Sequence, residues 1–278
     1  MTAVQEMSDS GPAYTRASTG SGEVTQWRTI RAEWVKFRTL WSSVLVMVIA
    51  VLGMIGVGLV ASYFINADWG HLRARQIARF NPVVTSLDGY NMAQLAIGTL
   101  GVLLVTGEYS TGLIRATMAA VPARLPVLWA KLTVYTGITF VLMMVSSFVA
   151  FLGGQVLLGS HSTTLDAPGV LRVVVATGVY LTLVGMLGVA FGALIRNTAG
   201  GIAALFGVLL VLPAIMEVLP STWQDVIAKY LPSNAGQAAL SVTLDPAMLA
   251  PWVGMAVFAV YVVIGMVAAA VLLKRRDV

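Results

Sequence analysis

Residues 173–216 read VVVATGVYLTLVGMLGVAFGALIRNTAGGIAALFGVLLVLPAIM. One basic residue, Arg196, and its neighbour Asn197 divide the stretch into two apolar runs, Val173–Ile195 and Asn197–Met216. About 20 mostly apolar residues carry a helix across a bilayer. Each run is long enough, so the spacing predicts two spans joined by a tight helical hairpin. Four more stretches free of Asp, Glu, Lys, Arg and His flank the pair: Thr39–Ala67, Gly89–Gly107, Leu132–Ser160 and Pro246–Leu273. Their apolar residues go all round the helix instead of alternating, which argues against a β-barrel. The expected fold is an all-α polytopic membrane protein with six transmembrane helices, at about 41–65, 89–107, 127–158, 171–195, 198–217 and 250–273.

Composition points the same way. Of 278 residues, 58% are hydrophobic and 10% charged, where soluble domains run at about 45–50% and about 25%. The mean hydropathy of +0.86 is too high for one soluble core. A net charge of +5 is too dilute for a nucleic-acid binder, and no nucleic-acid partner is expected. The absence of cysteine excludes a disulfide framework, a Cys metal site and a thiol nucleophile. Residues 1–26 are polar and rich in Ser, Thr and Gly, and are expected to form a disordered cytoplasmic tail. The membrane body then covers 27–276. No basic region precedes a short apolar run in the tail, so no cleavable signal is expected and span one serves as the insertion signal.

Orientation follows from Lys and Arg near the span ends. Six spans put both termini on one side. That side carries Arg16, Arg28, Arg31, Lys36, Arg38, Arg115, Arg124, Lys131, Arg196, Lys274, Arg275 and Arg276, twelve of the seventeen basic residues. The other side has Arg73, Arg75, Arg79, Arg172 and Lys229. Both termini are therefore expected in the cytoplasm, and the three arginines after span one oppose the rule.

Three connecting segments have character of their own. At 100° per residue, Trp27, Ile30, Trp34, Phe37 and Trp41 share one face of residues 27–41, flanked by Arg31 and Arg38. This predicts an interfacial elbow helix over 27–40, aromatic side in lipid and basic side towards anionic headgroups; a plain juxtamembrane anchor gives the same pattern. Residues 107–131, GEYSTGLIRATMAAVPARLPVLWAK, place an acid early and bases later, as the dipole of a short helix favours. A helix at about 108–121 projecting from the bundle is one reading and a solvated loop the other. Between 221 and 243, two short amphipathic pieces, Thr222–Tyr230 and Asn234–Val242, are too polar to span and are expected to dip into the far leaflet. The stretch LRARQIARF within 66–89 suggests a further interfacial helix.

Motifs for chemistry are absent. None of the four lysines follows a glycine, so no Walker loop can cradle phosphates on this chain. The two histidines, His71 and His161, lie on separate loops. No His, Asp or Glu falls within the six stretches, which argues against both intramembrane catalysis and a proton- or sodium-driven carrier. Catalytic and metal-ligating residues are expected to be none. Small residues do form patterns: Gly185, Gly188 and Gly192 in span four, and Gly200, Ala203, Ala204 and Gly207 in span five, which let helices approach closely. In span two, Asn91, Gln94, Gly98 and Gly101 form a stripe that must face protein or an aqueous path. Packing is the simpler role; the other is substrate-pathway lining, with Gly207.

Together the pieces resemble a known family. An aromatic and basic elbow leads into six spans. A segment of the form Glu-Tyr-x-x-Gly-x-Ile-Arg-x-Thr follows span two, with Pro-x-Arg and Ala-Lys beyond it, and Tyr-Leu-Pro-x-Asn-Ala-Gly precedes span six. This looks like the permease subunit of an ATP-binding-cassette (ABC) exporter of the type-2 export family, in the actinobacterial style, over about 27–276. The resemblance implies a dimer of six-span units in the plasma membrane, exporting a hydrophobic or amphipathic compound. It implies a separate ATPase partner that binds ATP and Mg2+, with no cofactor on this chain. By resemblance, Glu108, Tyr109, Gly112, Ile114, Arg115 and Thr117 belong to the coupling helix that engages the ATPase, with Arg31, Glu33 and Lys36 on the elbow beside it. Glu108 and Arg115, at i,i+7, would present a charged edge to the partner; loss of a partly hydrated Glu108 would cost the fold about 1 kcal/mol or less, and at a desolvated subunit contact about 2–5 kcal/mol. The alternatives are an ion- or proton-coupled secondary transporter, and a non-transporting membrane anchor for an ATPase.

Overall fold

The computed structural model describes residues 25–113, 125–243 and 247–275, with the side chains of Ser221, Thr222 and Asp225 excepted. Among the described residues every regular element is helical. In chain order they are α1 (Gln26–Thr39), α2 (Trp41–Ala67), α3 (Ala74–Arg79), α4 (Pro82–Leu87), α5 (Tyr90–Ser110), α6 (Leu125–Leu158), α7 (Val170–Ile195), α8 (Thr198–Phe206), α9 (Leu212–Val218), α10 (Ser221–Ile227), α11 (Pro232–Gln237) and α12 (Pro251–Arg275). Six crossings are long and apolar enough to span a bilayer: Trp41–Ala67, Pro82–Ser110, Leu125–His161, Val170–Ile195, Thr198–Val218 and Pro251–Arg275. The chain is an all-α polytopic membrane protein.

The hairpin read from residues 173–216 forms as expected. Arg196 takes a left-handed conformation (φ 57°) that ends α7, and the Asn197 side chain accepts a hydrogen bond from the Gly200 N–H to open α8. A residue other than Gly in that region is uncommon, and here it is what makes a two-residue turn possible. Span five continues through one π-helical turn, Gly207–Val211, just ahead of Pro213 in α9. Proline cannot donate to the carbonyl four residues back, so the helix widens there.

Span four is the hub. Buried residues make up 78% of its apolar window, against 22% for span one, 22% for span five and 28% for span six. Its glycines explain why. A Cβ built at Gly188 would overlap the Gly98 carbonyl oxygen, and one at Gly101 would overlap that of Gly185. Spans two and four thus touch backbone to backbone, so Gly98, Gly101, Gly185 and Gly188 serve packing within the chain. Spans one, five and six present Leu52, Val60, Val218, Val263 and Ile264 outward, as lipid-facing helices do.

On the side of the bundle opposite the termini, α4 is wedged between spans one and three. Pro82 occupies its first turn, the Asn81 side chain caps it, and Val83, Ser86 and Leu87 are buried. Gln155 of span three donates to the Pro82 carbonyl (3.1 Å) and to Ser86 Oγ (2.8 Å), satisfying polar atoms that could not face lipid. The two short pieces expected within 221–243 are present, the second starting at Pro232. The α11 helix buries Ser233, Ala235 and Gly236 against spans four and six. Arg172 holds the chain that follows it, donating to the carbonyls of Ala239 (3.1 Å), Ser241 (2.9 Å) and Val242 (3.3 Å).

Candidate functional site at the roots of spans two and three

The α1 helix is amphipathic in a way the aromatic stripe alone does not reveal. Thr29, Glu33 and Phe37, spaced i, i+4, i+8, are buried, so this row faces the bundle. Trp27, Trp34 and Trp41 stay exposed, as expected of residues in lipid. Phe37 departs from the expectation. It is 7% exposed and its ring sits 6.4 Å from that of Tyr135 on span three. Leu40, in extended conformation, breaks the helix before span one and so sets the elbow's angle to the bundle.

The row delivers Glu33 into a cluster of four charged groups. Lys131 Nζ, at the root of span three, lies 2.8 Å from Glu33 Oε2 and 2.9 Å from Glu108 Oε1 at the end of span two. Lys36, one turn beyond Glu33, also donates to Glu108 Oε1. Glu33, Glu108 and Lys131 are 7%, 4% and 3% exposed. Two carboxylates and two ammonium groups sum to zero, which is the condition for burying so many charges together. The expectation that Glu108 presents an edge to a soluble partner is therefore corrected. The two cations and the covering elbow draw its carboxylate inward.

The cluster ties three elements that are distant in sequence. Glu108 and Lys131 stand at the two roots of the segment that links spans two and three, and Glu33 and Lys36 clamp both roots to the elbow. Other contacts reinforce the same level. Gln26 Nε2 donates to the Pro126 carbonyl (3.1 Å), and the hydroxyls of Thr198 and Thr106 meet at 2.8 Å. The Arg196 guanidinium lies over the Tyr109 ring, 5.2 Å from its centroid, joining the span four–five hairpin to the end of span two. Two of its nitrogens, Nε and Nη2, are shielded and without a hydrogen-bond partner among the described residues.

Of the residues expected at a coupling site, Glu33, Lys36 and Glu108 meet in the cluster and Tyr109 packs beside it. Arg31 is exposed and makes no ion pair with the cluster among the described residues. Gly112 follows span two with φ +71° and open space around it, a conformation that favours glycine. Ile114, Arg115 and Thr117, and with them most of the expected helix at 108–121, lie outside the described residues. The expected pathway stripe separates. Gln94 is buried and accepts a hydrogen bond from Tyr180 of span four (2.9 Å), while Gly98 and Gly101 pack against span four. Asn91 is exposed and bonds to Asp88. Gly207 has no neighbour within reach of an added Cβ.

Lys131 and Arg196 are the members that sequence reasoning did not place in the site. A signal for Lys131 existed. It opens a long charge-free stretch at the same membrane boundary as Glu33 and Glu108, and a buried ammonium needs anions. No family model matches the chain, and no curated protein matches it.

Proposed function

We propose that this chain is the transmembrane subunit of an ATP-driven exporter of the type-2 ABC kind. Two six-span units form the pathway for a hydrophobic or amphipathic compound in the plasma membrane, both termini are cytoplasmic, and a separate ATPase docks on the segment between spans two and three. The observation that carries this reading is the Glu33–Lys131–Glu108–Lys36 cluster. A short segment that receives force from a soluble partner needs stiff roots, and the cluster joins both of its roots to the elbow. From there span two is packed backbone to backbone on span four, so a displacement at the root reaches the hub of the bundle. In this reading the contact with the ATPase falls to residues beyond Glu108, and Glu108 acts as a positioning residue. The described ionisable groups of the spans lie at their ends, which supports an external energy source over an ion-coupled carrier.

The test is purification of the chain from its own membranes in a mild detergent. A Walker-motif protein at comparable stoichiometry, with ATP hydrolysis that follows the complex, is the expected result. Arg115→Ala should reduce that association while membrane abundance stays near normal. A chain that purifies with no nucleotide-binding protein refutes the reading.

A further inference from the structure

The charge rule disfavours Arg73, Arg75 and Arg79, which lie on the side opposite the termini. The structure separates these three from the other basic residues on that side. Arg172 is consumed by three carbonyls, and the Lys229 ammonium lies 5.5 Å from the Tyr230 ring centroid. The guanidinium groups of Arg73, Arg75 and Arg79 have no ion pair and no hydrogen bond among the described residues. The acids nearest in sequence are engaged elsewhere: Asp68 with His71 at 3.2 Å, and Asp88 with Asn91 at 3.2 Å.

All three arginines line one cavity of about 910 Å³ between the end of span one, α3, the start of α4 and residues 241–243. Two hydroxyls, of Thr85 and Thr243, also line it, and several other polar groups near it already have partners. Gln76 Oε1 accepts from the Arg73 backbone N–H, Asn81 Oδ1 accepts from Val83 and Val84, and Ser241 Oγ donates to the Thr243 carbonyl. Beside the two hydroxyls, the polar wall offers guanidinium N–H groups with no acceptor among the described residues, in the planar fork that fits phosphate and carboxylate. The rest of the wall is apolar, from Ile65, Leu72, Phe80 and Val84. The volume falls in the range of small-molecule sites, about 300–1,000 Å³.

A polar wall whose charges are three guanidinium groups, facing an apolar one, favours an anionic head with a hydrocarbon tail. We propose that this cavity binds an anionic amphiphile, a phosphate or carboxylate head on an alkyl chain. The segment's resistance to the charge rule then has a cause: the arginines are held there for the ligand. A phospholipid of the adjacent leaflet and an exported compound share this chemistry. The site contains no residue of the cluster at the roots of spans two and three, and the proposal stands whether or not an ATPase partner exists.

The experiment uses the full chain in dodecyl maltoside micelles, with bound adducts counted by native mass spectrometry. Dodecyl phosphate is titrated, with inorganic phosphate as the tail-less probe. Saturable dodecyl phosphate binding is expected, at least about tenfold weaker for inorganic phosphate and at least about tenfold weaker in an R73Q/R75Q/R79Q variant. All three side chains are exposed, so the variant should keep the wild-type elution profile; the single variant R75Q, with a smaller loss, supplies a second reading if it does not. Lipid extraction separates the sources. Acidic phospholipid retained by the wild type and lost from the variant identifies a resident lipid. An empty wild-type site that still takes up dodecyl phosphate identifies a transported compound. Equal binding by wild type and variants, or equal binding of the two probes, overturns the proposal.

Discussion

Replacing Lys131 by methionine tests the ionic cluster most directly. The change keeps an unbranched chain in place and removes only the ammonium that stands between Glu33 and Glu108. Glu108 retains Lys36, but Lys131 is the ion-pair partner that Glu33 has among the described residues. Removing one partner of a buried pair costs about 3–5 kcal/mol, because the remaining charge is left uncompensated. That is a large part of the roughly 5–15 kcal/mol of a typical folded domain. At about 2–4 °C per kcal/mol it corresponds to a fall on the order of 10 °C in thermal midpoint. Lys36→Met should cost much less, about 1 kcal/mol or below, since Lys36 is 33% exposed and Glu108 keeps Lys131. The decisive arm is the double variant Glu33→Gln with Lys131→Met, which removes one charge of each sign and leaves Glu108 with Lys36. It should recover part of the loss, by about 2 kcal/mol or more. Membrane abundance and the thermal midpoint of the detergent-purified chain are the readouts. A Lys131→Met chain as stable as wild type, or a double variant no better than the single, refutes the account of the cluster.

Three further outcomes follow from the packing. Gly188→Ala sets a methyl against the Gly98 carbonyl oxygen, so span two must move off span four and folded chain should be largely lost, whereas Gly207→Ala, with open space around it, should be tolerated; abundance and elution profile compare the two. Tyr180→Phe removes the donor to Gln94, which is 3% exposed, and should cost about 1–3 kcal/mol, read as a lower thermal midpoint. Reporter fusions after Val278 and near Ser162 should give opposite signals, and like signals would break the proposed placement of both termini in the cytoplasm.

The fold was legible because hydropathy is a property of runs. The six stretches without charge correspond one to one to the six crossings, and the Arg196–Asn197 hairpin needed only the two polar residues that interrupt an apolar run. Where the reading missed, pairing across the bundle decided the outcome. The aromatic stripe of the elbow counted Phe37 with the tryptophans, since 100° spacing cannot say which edge of a stripe the neighbouring helix will cover. Glu33 lay on that same covered row, and its partner Lys131 is 98 residues away in the chain. The stripe of Gln94, Gly98 and Gly101 was legible as a face that must avoid lipid, but only the partner helix decides whether such a face meets glycine or water. Here the complementary row on span four, Gly185 and Gly188, was equally visible in the sequence. Two glycine rows of matching spacing can pack on each other, and a match of that kind is by itself a reason to favour packing over an aqueous path.

The charges obey a different logic, and it connects the two ends of the molecule. A buried charge must find its opposite or it will not stay buried. At the roots of spans two and three the chain supplies two acids and two bases, and they neutralise one another around Lys131. On the side opposite the termini it supplies three arginines around a cavity and commits the neighbouring acids elsewhere. The first arrangement is complete within the chain, so its members hold elements in position and substitution should register as instability. The second is incomplete, and its exposed side chains contribute little to the fold, so substitution should register as lost ligand with stability kept. A fall in thermal midpoint for R73Q/R75Q/R79Q as large as that for Lys131→Met would contradict this division, because it would mean that the three arginines serve the fold as Lys131 does.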